Sequence, residues 1–509
     1  MAVTTGFPPG RAVVLDDRVR LWADASVVLG GAPWAVLRIA PTGRAFLRNL
    51  ARAGTAGLVP STRTEAALVD LLLSRGIVHP VAASSAHPEP AARWHPDVVV
   101  PAYQRPEMLD VCLSALRNAD HQGRIIVVDD ASPDSGVARI AVAHGATVLR
   151  HPVNRGPAAA RNTGLAHASS EIVAFVDADA AVRPGWLEPL IAHFDDHRVG
   201  MVAPRVTARS SKPGLWARYQ QQRSALDMGP RAELVNHGAP LGFVPSATLL
   251  VRRVALDTTP AGVGINGGRL TAFNEDLRVG EDVDLVWRLI DSGWLVRYEP
   301  TSTVTHQIRP TVSAWSRQIF SYGTSAAILD LRHPGRLTPA RVSGWNAAVG
   351  ALGLIPGLRP AHRAAAGLGV LGAASILLAR QLRTAGVDPR IAPVVVGKGL
   401  VSDIASTGHL LRREWWPLGW LLLTRAPRSG LSRTIGLAML APLLREWLIR
   451  RPELDLPRYL ILRLAEDASY GSGVWTGAVR LRRGRVLVPR IRLPRPTRRS
   501  RTAGRGQAK

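Results

Sequence analysis

The sequence predicts an α/β protein with a parallel, doubly wound sheet at its centre. A small winged-helix-like module precedes the sheet and an apolar helical region follows it. Three observations lead there. Between residues 97 and 179, short β-branched runs alternate with segments of helical spacing, the pattern of βαβ units. Ahead of residue 97, short strands and two helices are set off by a stretch rich in Ala, Ser and Pro. Beyond residue 335, long apolar segments flanked by Arg and Trp replace the alternation.

The elements follow in order. In the module at 11–80, RVRLWADASVVLGGAPWAVLRIA reads as short strands around a Gly-Gly turn. PTGRAFLRNLARAG and STRTEAALVDLLLSRG read as two helices, the second with a capping box, Thr62 with Glu65, and a stop at Gly76. Residues 81–96 are the linker. From 97, DVVVPAY, RIIVVDD, ATVLRHP and EIVAFVDAD are strands, and PEMLDVCLSALRN, DSGVARIAVAHG and GPAAARNTGLAHA are the intervening helices. Further on, GEDVDLVWRLIDSG is an amphipathic helix buried through Leu285, Leu289 and Trp287, and WLVRYEPTSTVTHQIR is a strand leading to His306.

In a doubly wound sheet, ligands bind outside the carboxyl ends of the strands. That rule gathers Pro101 to Arg105, Asp130, and the pair Asp177 and Asp179 around one crevice. Each cluster has two readings. Pro101-Ala102-Tyr103 either ends a strand or sets main chain and a ring against a base. Asp129-Asp130 either caps the next turn or accepts from a base imide. Arg161 is either an exposed helix residue or a diphosphate partner near a helix start. Asp177 and Asp179 either serve a turn, since Arg183-Pro184-Gly185 follows, or offer hard oxygen ligands to Mg²⁺ or Mn²⁺. Glu281 and Asp282 either suit the first-turn dipole or supply a general base. His306 is either structural or a third metal ligand.

Composition limits the classes. The formal charge of +26 favours anionic partners: lipid surfaces, nucleotides or nucleic acid. Much of the excess is local, since residues 480–509 carry a dozen Arg and Lys and no acid. The run 481–509 reads as a disordered basic tail. It lacks interleaved aromatics, so no nucleic acid is expected as a partner. Cys112 is the single cysteine, which excludes an internal disulfide and a thiolate metal cluster. The N-terminus lacks a signal-peptide layout, and a cytoplasmic start is expected.

PAYQRPEML, VVDDASPD, GPAAARNTGL, FVDADA and GEDVDLVWRL stand in the order typical of family-two inverting glycosyltransferases with the Rossmann-like A-type fold, which residues 97–330 resemble. The resemblance implies a nucleotide-sugar donor. It implies that Asp130 contacts the uracil, that Pro101, Ala102 and Tyr103 pack around the base with Arg105 close by, and that Arg161 and Asp177 lie beside the diphosphate. It implies a metal site of Asp177, Asp179 and His306 holding Mn²⁺ or Mg²⁺, and Asp282 as the catalytic base. The Gln-x-x-Arg-Trp motif of processive synthases is missing near Ser316-Arg317-Gln318. A nucleotidyltransferase would instead carry a Gly-rich basic loop after its first strand, which PAYQRPEM does not supply. LGGAPWAVLRIAPTGRAFL with LLLSRGIVHP, fused ahead of the transferase, is similar to the glycosyltransferases of the mycofactocin system. That likeness implies UDP-glucose as donor, premycofactocin or a related peptide-derived acceptor, extension to a short β-1,4-glucan, and acceptor recognition by 11–80. In the region 335–480 the apolar segments fall short of a clear membrane span. They suit either a buried helical subdomain or the cytoplasmic face of the cell membrane, with the tail on anionic lipid.

Overall fold

The structure is a computed structural model that describes residues 6–81, 94–119, 121–210, 214–260, 272–353, 355, 357–426 and 429–493. Most of the expected linker, 82–93, lies outside the described residues, as does 494–509 of the expected tail.

In the N-terminal module, β1 (Val13–Leu15), β2 (Arg20–Trp22), β3 (Val27–Gly30) and β4 (Ala35–Arg38) precede α1 (Pro41–Ala53) and α2 (Arg63–Ser74), and β5 (Val78–Pro80) returns to pair with β1. The middle strands form the antiparallel meander β2-β3-β4. The capping box is present: Thr62 accepts from the Glu65 amide and Glu65 reaches back. Phe46, Leu47 and Leu50 of α1 meet Val69, Leu72 and Leu73 of α2 over Val13 and Val28. The module is docked on the rest of the chain. Arg18 bridges Asp16 and Glu233, 2.7 Å from each, and Arg198 reaches Asp70 at 3.0 Å. Val27 and Leu29 share a small core with Leu382, Val387 and Ile391.

The central part runs β6 (Asp97–Ala102), α3 (Pro106–Asn118), β7 (Ile125–Asp129), α4 (Gly136–Ala143), β8 (Thr147–Arg150), α5 (Pro157–His167), β9 (Ile172–Val176) and β10 (Ala180–Ala181). Then come α6 (Glu188–Ile191), β11 (Val199–Arg209), α7 (Leu215–Gln222), β12 (Glu233–Val235), β13 (Thr248–Arg252), α8 (Arg253–Thr258), α9 (Glu281–Asp291) and β14 (Leu295–Gln307). The sheet order is β10-β14-β11-β13-β9-β6-β7-β8, with β12 on β14. The strands are apolar on both faces because both are covered. Val98 and Val100 point to Leu109, Cys112, Leu113 and Leu116 of α3, while Val99 and Ile126 point to Ala158 and Ala160 of α5. The all-parallel expectation holds for the run β8, β7, β6 and β9 and for the neighbouring pair β11 and β14. β13 enters between β9 and β11 antiparallel to both, so the sheet is mixed. No crossover helix connects β12 to β13, and an antiparallel strand needs none.

The C-terminal part is helical: α10 (Val312–Arg332), β15 (Arg341–Ser343), α11 (Gly344–Gly353), α12 (Pro360–Thr384), α13 (Ala392–Arg412), α14 (Trp416–Thr424), α15 (Gly430–Arg450), α16 (Leu456–Arg480) and β16 (Arg490–Arg492). α12 is long and apolar enough to cross a membrane by length and composition, and the chain shows one such helix among the described residues. α10 and α16 cross backbone to backbone. A Cβ on Gly323 would stand 2.1 Å from the Tyr470 carbonyl oxygen, and one on Gly473 would stand 2.0 Å from that of Phe320. Only glycine permits that approach. Two expected boundaries are corrected here. The region 97–330, expected to be the catalytic domain, ends in α10, and that helix is locked to α16, so the region does not form the cavity wall by itself. The expected tail from 481 is structured through 492: Val486 is buried, Trp415 Nε1 donates to the Leu487 carbonyl at 2.9 Å, and β16 pairs with β15.

Candidate active site

The carboxyl ends of β6, β7 and β9 open into one cavity of about 920 Å³, as the sheet rule requires. Pro101, Ala102, Tyr103, Arg105, Asp130, Arg161, Asp177, Asp179, Asp282 and His306 all line it. The chain leaves β6 through two left-handed residues, Gln104 and Arg105, with φ of 59° and 53°. This turn is held by Ser132, whose Oγ accepts from the Gln104 amide at 2.8 Å, and it leaves the Tyr103 ring exposed at the mouth.

Asp130 is buried and turned toward the loop before α5. Its carboxylate accepts from the amides of Arg155 at 2.9 Å and Gly156 at 2.7 Å, and it meets His151 Nδ1 at 2.7 Å. It therefore fixes the loop that floors the cavity. Arg161, expected beside a diphosphate, lines the cavity and is engaged by two carboxylates. The guanidinium is buried, with NH2 2.6 Å from Asp177 Oδ1 and NH1 2.9 Å from Glu281 Oε1, and it lies over the Phe273 ring. Two carboxylates neutralise it, so it organises the floor from beneath.

That pairing bears on the expected metal set. Asp177 is drawn to Arg161, and among the described residues no three His, Cys, Asp or Glu side chains converge in a metal-holding group. Asp179 and His306 do meet. β10 pairs antiparallel with β14, Ala180 opposite His306, which brings Nε2 to 3.0 Å from Asp179 Oδ1. His306 thus lies within the strand rather than after it. Burial pushes the Asp179 carboxyl up, but the hydrogen bond and charge of His306, with Arg309 and Arg105 nearby, outweigh it and hold the carboxyl below its usual range. A carboxylate oxygen and an imidazole nitrogen held side by side at the cavity are donors of the type that hard divalent ions accept. The pair fits a small divalent cation, with the remaining positions open to other oxygens.

α9 starts at Gly280, whose φ is 86°. Asp282 accepts from its own helix at the Val283 amide, 2.8 Å, and from the Ser246 amide at 3.1 Å. Burial nevertheless raises its pKa, and Asp177 adds to the rise. Burial, then the charge of Asp282, pushes Glu281 up to about 7. Two carboxyls with raised basicity side by side are the mark of a proton-accepting site. Behind them, Asp284 anchors α10 through Arg332 at 2.6 Å and His333 at 2.9 Å.

The remaining wall was not foreseen. Gln318, Tyr322 and Ser325 of α10 face the cavity with Arg309, and His409, Arg413, Glu466, Asp467 and Tyr470 close its inner end. The three-to-four-residue spacing on α10 was visible in sequence, but nothing there linked it to residues more than eighty positions on. No described residue of 6–81 lines the cavity. The module docks at Glu233, which pairs with Tyr298, eight residues along β14 from His306, or roughly 25 Å of strand.

Residues 97–258 match the family model for Glycosyl transferase family 2. The Pre-mycofactocin glycosyltransferase of Mycobacterium tuberculosis is 34% identical over 499 residues, covering 96% of this chain and 99% of that protein. The succinoglycan biosynthesis protein ExoU of Rhizobium meliloti is 30% identical, over 33% of this chain and 49% of its own. A mannosyltransferase structure from Pyrobaculum calidifontis in complex with GDP-Man and Mn²⁺ is 17% identical and covers 78% of this chain and 90% of that one, with a TM-score of 0.40. With near end-to-end likeness at that identity, the chain belongs to the pre-mycofactocin glycosyltransferase family.

Proposed function

We propose that the protein transfers glucose from UDP-glucose to premycofactocin with inversion of the anomeric carbon, and extends the product to a short β-1,4-glucan. The observation that carries the reading is Asp282, a carboxylate of raised basicity that lines the same cavity as the Asp179–His306 pair. Tyr103 and the main chain of Pro101 and Ala102 would flank the base, and Asp130 would present the floor loop to the nucleotide. Asp282 would remove the proton from an acceptor hydroxyl as that oxygen attacks the anomeric carbon and UDP leaves from the other side. A single displacement needs no nucleophilic carboxylate and turns an α-linked donor into a β-glycoside. General-base help is worth about 10²–10⁴-fold.

Asp179 and His306 would hold Mn²⁺ or Mg²⁺, with Asp177 beside them. A bound ion would supply charge neutralisation of the diphosphate leaving group. Arg161 keeps Asp177 and Glu281 in place.

The module at 11–80 is proposed as a peptide or acceptor reader that acts from outside the cavity. The C-terminal helices are proposed to rest on the cytoplasmic face of the membrane: Leu368, Ile376, Val401 and Leu437 are exposed on them, and arginines flank them. That surface favours a second reading, in which the acceptor is a lipid or cell-wall glycan. Product analysis separates the two. The protein is incubated with UDP-sugars, Mn²⁺ and either premycofactocin or lipid-linked glycans, and product masses are read. Hexose addition to premycofactocin from UDP-glucose supports the first reading, and addition only to lipid-linked acceptors rejects it.

A further inference from the structure

The cavity wall made by the C-terminal helices holds an arginine, Arg413, whose charge is met by Glu414, Asp467 and Glu466 and whose pKa is raised despite burial, but whose hydrogen bonds are few. Four arginines approach this wall or stand behind it, and three make close polar pairs. Arg412 is paired with Asp467 at 3.0 Å, Arg463 with Glu466 at 3.2 Å, and Arg309 with Gln318 at 3.1 Å beside Asp179. Arg413 differs. Its guanidinium carbon lies 3.3 Å from the centre of the Tyr470 ring, so one face is stacked. NH1 meets His409 Nε2 at 3.3 Å, and Nε lies 3.8 Å from Glu414, too far for a hydrogen bond. Burial pushes His409 down to about 3, so the imidazole brings no charge. Burial pushes Glu414 up to about 7, so near neutrality it answers Arg413 only in part.

The compartment is built from the C-terminal helices rather than from the strand-end loops. Tyr470 sits on α16, which the Gly323–Gly473 crossing fixes against α10. A stacked, half-buried guanidinium whose hydrogen bonds from NH1 and Nε are limited to His409 suits a group that only accepts hydrogen bonds.

We propose that this compartment binds the non-sugar portion of the acceptor, and that Arg413, stacked on Tyr470, holds a carboxylate or carbonyl oxygen of it. The inference rests on the proposed transfer to premycofactocin and extends it: the acceptor is anchored by the C-terminal helices. A diphosphate oxygen of the donor has the same chemistry, so the test must distinguish the two.

The experiment is calorimetry of premycofactocin and, separately, of UDP with Mn²⁺, on the full-length protein and its Arg413→Ala and Arg413→Lys variants. A lost charge-assisted hydrogen bond should weaken premycofactocin binding about ten- to hundredfold in Arg413→Ala. Arg413→Lys should fall between, since it keeps the charge and loses the fork and the stack, and it carries the test if the alanine variant fails to fold. UDP affinity should not change. Equal premycofactocin affinity in wild type and variants overturns the inference while leaving the transfer reading intact. A loss confined to UDP overturns it by assigning Arg413 to the donor. If the wild type itself does not bind premycofactocin, the transfer reading falls and this inference with it.

Discussion

Arg161 and Glu281 hold each other at 2.9 Å beneath the cavity floor, although 120 positions separate them in sequence. The same guanidinium takes Asp177, so one buried cation ties the end of β9 to the start of α9. Removing it leaves two carboxylates without their partner. Arg161→Met should therefore cost about 3–5 kcal/mol of stability, as for other broken buried pairs. Urea unfolding measures this. A midpoint equal to wild type would mean the bridge is not formed in solution.

Acid should switch the enzyme off early. The base must be deprotonated, and the Glu281–Asp282 pair is raised, with Glu281 at about 7. kcat/KM should rise with pH through an acid limb well above the ordinary carboxylate range and then level off. Glu281→Gln removes a negative neighbour and frees Arg161 to act on Asp282, and both effects lower the Asp282 pKa. The limb should move to lower pH. The stability sign is opposite: raised carboxyls favour the fold while protonated, and that contribution is lost as pH rises from the unfolded values through about 7. A limb that stays in place in Glu281→Gln would assign the titration to another group.

Metal-dependent donor binding should run through Asp179. Asp179→Ala should lose the Mn²⁺-dependent part of UDP affinity, about tenfold or more by analogy with lost charge-assisted contacts, and leave the midpoint of unfolding close to wild type. Calorimetry with and without Mn²⁺ reads it directly. An undiminished metal effect in the variant would remove Asp179 and His306 from that role.

The α10–α16 crossing should tolerate no side chain. Gly473→Ala places a Cβ 2.0 Å from the Phe320 carbonyl oxygen, and the helices must separate. Overpacking of this kind costs about 1–3 kcal/mol. Thermal unfolding should show a lowered midpoint, whereas Gly484→Ala, with open space around it, should not.

The strand-end clusters were legible because β-branched runs mark buried strands and the sheet rule then converges their ends. Asp130, Asp177 and Asp179 follow from that alone, whereas Asp282 opens a helix and rests on the family resemblance. Their partners were not legible. That Asp177 turns to Arg161, and that His306 sits inside a strand opposite Ala180, depend on register and packing that no short pattern encodes. The inner wall was hidden for another reason. An apolar helix reads alike whether it lies against lipid or against another helix. Arg413 and Tyr470 reach the cavity only because glycines on two distant helices allow a close crossing. The tail differs from its expected course for the same kind of reason: burial of Val486, with Trp415 donating to the Leu487 carbonyl, holds a basic run against the helices.

Asp282 as the proton acceptor of an inverting transfer is the claim on which the rest depends. The most direct measurement is the single-turnover rate of glucose transfer from UDP-glucose to premycofactocin in Asp282→Asn, alongside UDP affinity in the same preparation. The amide keeps the shape and cannot take the proton. The account predicts unchanged UDP binding with transfer slowed by about 10²–10⁴-fold. Transfer within a few-fold of wild type would contradict it and place the base elsewhere in the cavity.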